Sequence, residues 1–157
     1  MYIRRAEQKD LKKVDSLLSQ VLEIHASIRP DIFISGTKKY TDEELLNIFK
    51  DDERPVFVAC DESDEVLGYA FCIFKQQPFS TNMHQFKTLY IDDLCVDEKA
   101  RGKHAGETLY HYVLDYAKKH GCYDVTLNVW EGNDKARKFY EHMGLKVKET
   151  QMEVILK

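Results

Sequence analysis

The chain has 157 residues and a mass of 18.4 kDa, the size of one domain able to bury about 68–70% of the surface its unfolded chain exposes, so residues 1–157 are expected to fold as a single unit. Charged residues make up 32% and aromatics 11%, with three Pro and seven Gly, which excludes a collagenous, low-complexity or wholly disordered chain. A net charge of −4 argues against a general nucleic-acid binder, which needs a cationic surface to displace counterions from phosphates.

In chain order, Tyr2-Ile3-Arg4 alternates as a first strand. Asp10 then stands where it can cap a helix carrying Leu11, Val14, Leu17, Leu18, Val21 and Leu22 on one face, a helix that must end before Pro30. Thr41-Asp42-Glu43-Glu44 reads as a capping box opening a shorter helix to about Lys50. The apolar runs Pro55–Cys60 and Val66–Phe74 flank the turn-forming residues Asp61 to Glu65 and read as an antiparallel hairpin. A polar loop from Lys75 to Gln85 leads to a strand over Lys87–Val96. The period then turns helical, with Ala105, Leu109, Tyr112, Val113, Tyr116 and Ala117 on one stripe and Gly121 as the stop. Val125, Leu127 and Val129 alternate with polar residues as a further strand, Asn133 caps a short helix through His142, and Gly144 ends it. Apolar positions in Leu145–Val147 and Met152–Leu156 predict two closing strands.

The expected fold is therefore α/β, β-α-α-β-β-β-α-β-α-β-β, with a mixed and mostly antiparallel sheet of about six or seven strands and helices on both faces. The strand, loop, helix and strand at 87–129 form a crossover, where a parallel pair is expected.

Cys60, Cys72, Cys95 and Cys122 make no CxxC pair, and three of them sit in apolar runs. They read as buried reduced thiols rather than a disulfide or zinc framework. The N-terminus lacks an apolar signal core, and no run approaches the ~20 apolar residues of a membrane span, so a cytoplasmic protein with no membrane partner is expected. The net charge hides an asymmetry: residues 41–65 carry −8 and the remainder +4, with basic clusters at Lys99/Arg101/Lys103 and Lys135/Arg137/Lys138.

The stretch from Asp97 to Gly106 joins a strand to an amphipathic helix. Its glycines relieve backbone restriction, the helix start offers unpaired N–H groups and three cationic side chains add positive charge, together an anion cradle suited to a pyrophosphate. It is neither a Walker A loop nor a GxGxxG fingerprint. His104 and His111 are seven residues apart with no carboxylate or thiol completing a ligand set by spacing, so no metal is expected.

Three segments, Tyr90-Ile91-Asp92-Asp93-Leu94-Cys95-Val96, Arg101-Gly102-Lys103-His104-Ala105-Gly106 and Asn133-Asp134-Lys135-Ala136-Arg137-Lys138-Phe139-Tyr140, resemble the motifs of the GCN5-related N-acetyltransferase (GNAT) superfamily in order and spacing. The resemblance implies transfer of an acetyl group from acetyl-coenzyme A to an amine. It places the coenzyme pyrophosphate on the backbone of Arg101, Gly102, Lys103, His104, Ala105 and Gly106, with His104 departing from the glycine of the family pattern. It gives Leu94, Cys95 and Val96 the splayed strand whose main chain pairs with the pantetheine arm, Asn133 a pantetheine contact, and Tyr140 protonation of the departing thiolate. Asp92 matches an acidic general base of polyamine-acetylating members, beside the alternative of a strand-end carboxylate paired to a basic residue.

An alkyl ammonium must lose its proton before it can attack, which is what such a base would serve. Alternation puts Asp92 and Asp93 on opposite faces of the strand. Cys95 lacks a neighbouring His to activate it, and Asp93 on its own face would raise its pKa, so direct attack in a ternary complex is expected rather than an acetyl-cysteine intermediate. The acidic segment tilts the acceptor toward a small cationic amine such as a polyamine or aminoglycoside, with residues His25 to Phe33 as one wall. Protein N-termini or lysines, a non-catalytic coenzyme A sensor and a longer acyl donor are the alternatives. Dimers are common in the family, which admits a homodimer here.

Overall fold

A computed structural model describes all 157 residues. Its elements are β1 (Tyr2–Arg5), α1 (Leu11–Ile28), α2 (Asp42–Phe49), β2 (Val56–Cys60), β3 (Val66–Gln76), β4 (Lys87–Val96), α3 (Ala105–Lys119), β5 (Asp124–Leu127) and α4 (Asp134–His142). The five strands lie in sequence order, antiparallel from β1 to β4, and β4 with β5 is the parallel pair expected of the crossover. Helices cover both faces, as α1 and α2 pack on one cluster of sheet residues and α3 on the other.

Local chemistry explains the boundaries. α1 stops at Ile28, two residues short of Pro30, with Val14 and Leu17 fully enclosed. The Thr41 hydroxyl accepts from the Glu44 N–H at 3.1 Å while the Glu44 carboxylate accepts from the Thr41 N–H, so α2 opens on the reciprocal box the sequence predicts. Asp10 precedes α1 as expected, but its carboxylate turns to the Glu7 N–H and forms a two-pronged pair with Arg4 at 2.7 and 2.9 Å. In α3 the buried stripe is Ala105, Leu109, Tyr110, Val113 and Ala117. Tyr112 and Tyr116 instead lean their rings on Phe57 from the rim of the stripe.

Two expectations need correction. The sheet has five strands, not six or seven. Residues 145–157 form no strand, because from Lys146 onward no backbone group hydrogen-bonds to another part of the chain. Their apolar side chains point to solvent, Leu156 at 89% exposure and Val154 at 80%.

Three of the ten acids in residues 41–65 pair with cations outside the segment, Asp64 with Arg4 and Lys9, Asp52 with Arg5 and Asp42 with Lys38, while Asp51 pairs with Arg54 within it. The cysteines are free, three of them buried and Cys122 partly so. No helix is long and apolar enough to cross a membrane.

Candidate active site

The site begins where the sheet divides. β5 pairs with β4 only from Thr88 opposite Asp124 to Ile91 opposite Leu127, while β4 continues to Val96 along β3. From Asp92 to Val96, the β5-facing edge therefore has no strand partner, leaving its main-chain groups open on that side. Leu94, Cys95 and Val96 lie on this edge. The other edge is held by pairs Ala70 with Leu94, Tyr69 with Cys95 and Gly68 with Val96.

Gly68 has a specific role there. A Cβ at this position would stand 2.6 Å from the Cys95 carbonyl oxygen, closer than atoms pack. A glycine inside a strand signals such an approach, a sign present in the sequence that the motif comparison did not use.

A bulge overturns the expected placement of the two carboxylates. Phe71 pairs with Asp93 but Cys72 with Ile91, so Asp92 is an extra residue in β4. The inserted residue breaks the two-residue alternation, and both acids turn to the α1/α2 side rather than to opposite faces. Asp92 pairs there with Lys39 of the α1–α2 connection at 3.2 Å, while the Asp93 carboxylate accepts from the Tyr69 hydroxyl at 2.7 Å. Burial pushes the Asp93 carboxyl up to about 6, although the Tyr69 bond and the Lys39 charge pull the other way. Lys39 sits far from any recognisable motif, and only folding brings it in.

Cys95 is buried with its thiol against the Leu17 carbonyl, 3.8 Å away. Burial first, and then Asp93, push it up to about 12. It is a neutral thiol at physiological pH and a poor nucleophile.

Tyr140, half-buried on α4, is raised well above the ordinary phenol range by burial and then by the charge of Asp93. That influence places it in the same locale as the β4 edge. Phe139 is its packed neighbour, close enough to α3 that a Cβ on Gly106 would meet its ring at 3.3 Å. Asn133 caps α4, its side-chain oxygen accepting the Ala136 N–H at 3.4 Å and its amide hydrogens still free to donate.

The loop after β4 fits an anionic ligand. Buried Asp97 ties its start down by accepting from the Lys99 N–H and pairing with Lys13 of α1. Beyond it, the N–H groups from Gly102 to Glu107 find no backbone acceptor, the first bond of α3 being Thr108 N–H to the His104 carbonyl. A row of free N–H groups at a helix start is what a pyrophosphate binds, and the exposed side chains of Arg101 and Lys103 flank it. His104 adopts φ 62°, ψ 22°, the left-handed conformation for which the family's glycine is suited, and its side chain is 80% exposed. The loop thus keeps its shape at a cost of about 1–2 kcal/mol for a residue with a Cβ. His104→Gly should raise stability by about 1 kcal/mol, a Tm gain of about 2–4 °C in a thermal melt.

An acceptor would reach the bulge from the α1/α2 side. A cavity of about 90 Å³ lined by Tyr40, Phe71, Cys72 and Asp92, among others, opens onto the bulge. On another side, His25 and Phe33 lie 5.1 Å apart, and Phe33 meets Trp130 edge-on at 5.3 Å. The wall expected from residues 25–33 therefore includes Trp130, from the loop after β5. No three His, Cys, Asp or Glu side chains converge as a metal centre.

Comparison with known proteins agrees with this arrangement. The family model described as "Acetyltransferase (GNAT) family" matches residues 18–145. The chain is 29% identical over 124 residues to glucosamine 6-phosphate N-acetyltransferase of Arabidopsis thaliana, covering 76% of this chain and 80% of that one. It is 27% identical over 144 residues to an uncharacterized N-acetyltransferase of Bacillus subtilis, covering 92% and 89% respectively. The crystal structure of a mutant of the BH1408 protein from Bacillus halodurans superposes with a TM-score of 0.94 at 33% identity, with both chains fully covered. The split between β4 and β5, the loop of free N–H groups and the match over residues 18–145 together show that this chain belongs to the GNAT family of N-acetyltransferases.

Proposed function

We propose that this protein transfers an acetyl group from acetyl-coenzyme A to a primary amine on a small molecule, by direct attack in a ternary complex. The observation that carries the reading is the unpartnered β4 edge from Asp92 to Val96 running toward the loop of free N–H groups. The pantetheine arm is an amide chain, and amides add to an open strand edge as another strand would. The pyrophosphate would sit on residues 101–106, with the Asn133 amide beside the arm. A main-chain N–H at the edge would face the oxyanion formed during attack.

The acceptor arrives as an ammonium and must lose a proton. We assign that step to Asp93, directly or through a water, because the bulge sets its carboxylate on the same side as Asp92, which lines the cavity, and because a carboxylate raised by burial to about 6 is ionised at neutral pH yet more basic than an ordinary one. Asp92, balanced by Lys39, would orient the ammonium instead. The amine lone pair then bonds to the thioester carbonyl carbon, the C–S bond breaks, coenzyme A leaves as thiolate, and the new amide nitrogen sheds its second proton to solvent.

Tyr140 stays protonated across the working range, and its phenol is a weaker acid than the thiol formed, so full proton transfer to sulfur is uphill. Its role is therefore to donate a hydrogen bond to the thiolate, with solvent completing protonation. Tyr140→Phe should lower kcat by about 10–100-fold, at or below the low end of general acid–base contributions, with KM for acetyl-coenzyme A little changed.

A small acceptor is favoured because the cavity at the bulge, about 90 Å³ and lined by Asp92, suits an amine-bearing group better than a polypeptide surface. The same class of reaction is named for the Arabidopsis relative, whose acceptor is an amino sugar phosphate. Free thiol release from acetyl-coenzyme A across a panel of polyamines, amino sugars, aminoglycosides and lysine peptides tests the reading. Turnover with a small amine is expected. Binding without turnover would leave a coenzyme A sensor, and turnover confined to peptides would move the acceptor class.

A further inference from the structure

An ammonium already stands beside the carboxylate that is to orient the acceptor. Lys39, on the α1–α2 connection, holds Nζ 3.2 Å from Asp92 Oδ2, and its charge also reaches Asp93, Tyr90 and His25. The lysine side chain is 48% exposed and that of Asp92 28%, and a pair so open to solvent adds little to stability. Holding the fold together therefore does not account for it. Lys38, the preceding residue, is engaged elsewhere, with Asp15 at 2.9 Å and with Asp42.

The position matters because Asp92 is the bulged residue at the start of the open β4 edge. A pyrophosphate on residues 101–106 lies beyond the Val96 end of that edge, so an arm pairing along it runs from Val96 back toward Asp92. The thioester, at the far end of the arm, then arrives at the bulge where Lys39 Nζ stands. We propose, resting on the reading of the protein as an acetyltransferase, that Lys39 is an internal acetyl acceptor: with the donor bound and no free amine present, the protein acetylates its own Lys39. Asp93 takes a proton from the Lys39 ammonium, directly or through a water, and the Nζ lone pair bonds to the thioester carbonyl carbon. The C–S bond breaks, coenzyme A leaves as thiolate, and the amide nitrogen sheds its second proton to solvent.

Tethering favours the step, since an amine held in place acts as though far more concentrated than a free one. The product changes the site for the acceptor. Acetylation removes the lysine charge, so Asp92 loses its partner and is left to a free ammonium. Before that step, a free amine and Lys39 compete for one carboxylate.

Full-length protein, cleared of any acetyl-lysine with a deacetylase, is incubated with acetyl-coenzyme A bearing a heavy-isotope acetyl group, and the labelled lysines are located by fragment mass spectrometry. Lys38 is the internal control: at 58% exposure it is the more open of the two neighbours, so spontaneous acetylation in solution should favour it. Lys39 is expected to label about tenfold or more faster than Lys38, at a rate per chain that does not change with protein concentration. Tyr140→Phe should slow Lys39 by about 10–100-fold and leave Lys38 unaffected. Lys39→Arg, which keeps the charge, should label at no residue above the Lys38 rate. Equal labelling of Lys38 and Lys39, or Lys39 labelling that Tyr140→Phe does not slow or that quickens with protein concentration, overturns the proposal. If a small free amine is turned over while Lys39 stays unlabelled, the proposal falls and the acetyltransferase reading stands. If the protein labels neither Lys39 nor any amine, both fall.

Discussion

Asp93→Asn should lower kcat/KM by about 10²–10⁴, the usual range for a positioned base, and should alter the pH profile in a way that loss of fold would not. The reacting pair is the ionised Asp93 carboxylate and the ammonium that it deprotonates, so in the parent protein kcat/KM should rise tenfold per pH unit below about 6, where the carboxyl is protonated, and level off between 6 and the amine pKa of about 10. The logarithmic slope is then one below pH 6 and zero above it. The Asn variant, left to capture neutral amine from solution, should show slope one throughout. Steady-state rates between pH 5 and 9 with a saturating acyl donor distinguish the two, and a variant that keeps the break near 6 removes Asp93 from the proton path.

The same substitution should raise stability at neutral pH. Asp93 is held above the ordinary carboxylate range mainly by burial, so the folded protein binds this proton more tightly than the unfolded chain does. Stability from this group is therefore full below the unfolded pKa of about 3.9 and falls as pH rises toward 6, where the buried carboxyl ionises. Asn carries no charge to bury and keeps an oxygen that can accept the Tyr69 hydroxyl. A variant that is both inactive and harder to melt at pH 7 is the signature of a group retained for chemistry at a cost in stability. Asp93→Ala would also lose activity but would orphan the buried Tyr69 hydroxyl, so its Tm should fall.

Much of the fold was legible because its signals are local. A capping box at Thr41, a proline after α1 and a helical period after Gly102 act within a few residues, and the structure keeps each of them. The three motifs proposed for the donor site are legible for the same reason, since loop, strand edge and helix cap each occupy one short segment. What was missed depends on pairing across the sheet. Alternation set Asp92 and Asp93 on opposite faces, but the register of β4 is imposed by β3, and the bulge opposite Phe71 and Cys72 turns both acids one way. Lys39 reaches Asp92 from 53 residues away, which no spacing rule anticipates. The closing strands expected at 145–147 and 152–156 show how far a pattern goes: alternation marks a segment able to pair, but no strand forms there because from Lys146 onward no backbone bond reaches it. Likewise nothing in the acidic stretch itself announces that Arg4, Arg5 and Lys9 would come from the start of the chain to pair with Asp52 and Asp64.

Gly68→Ala carries the other large effect, and it falls on substrate binding as well as stability. The new methyl would begin 2.6 Å from the Cys95 carbonyl oxygen and 3.2 Å from Val96 Cα, both backbone atoms. No rotamer change relieves such a contact, so β3 and the end of β4 must separate. Overpacking of this kind costs about 1–3 kcal/mol, a Tm loss of about 2–4 °C for each kcal/mol in a chain this size. The displaced atoms belong to the Leu94–Val96 edge on which the pantetheine arm is proposed to pair. The shift should therefore raise KM for acetyl-coenzyme A about tenfold or more, since misplacing a strand by even half an ångström weakens several hydrogen bonds together. Val14→Ala is the control. Val14 is fully buried on α1, and its truncation should lower Tm comparably through a cavity while leaving the donor KM unchanged. A Gly68→Ala protein that loses stability but binds acetyl-coenzyme A as tightly as the parent would show that the donor lies elsewhere than along β4.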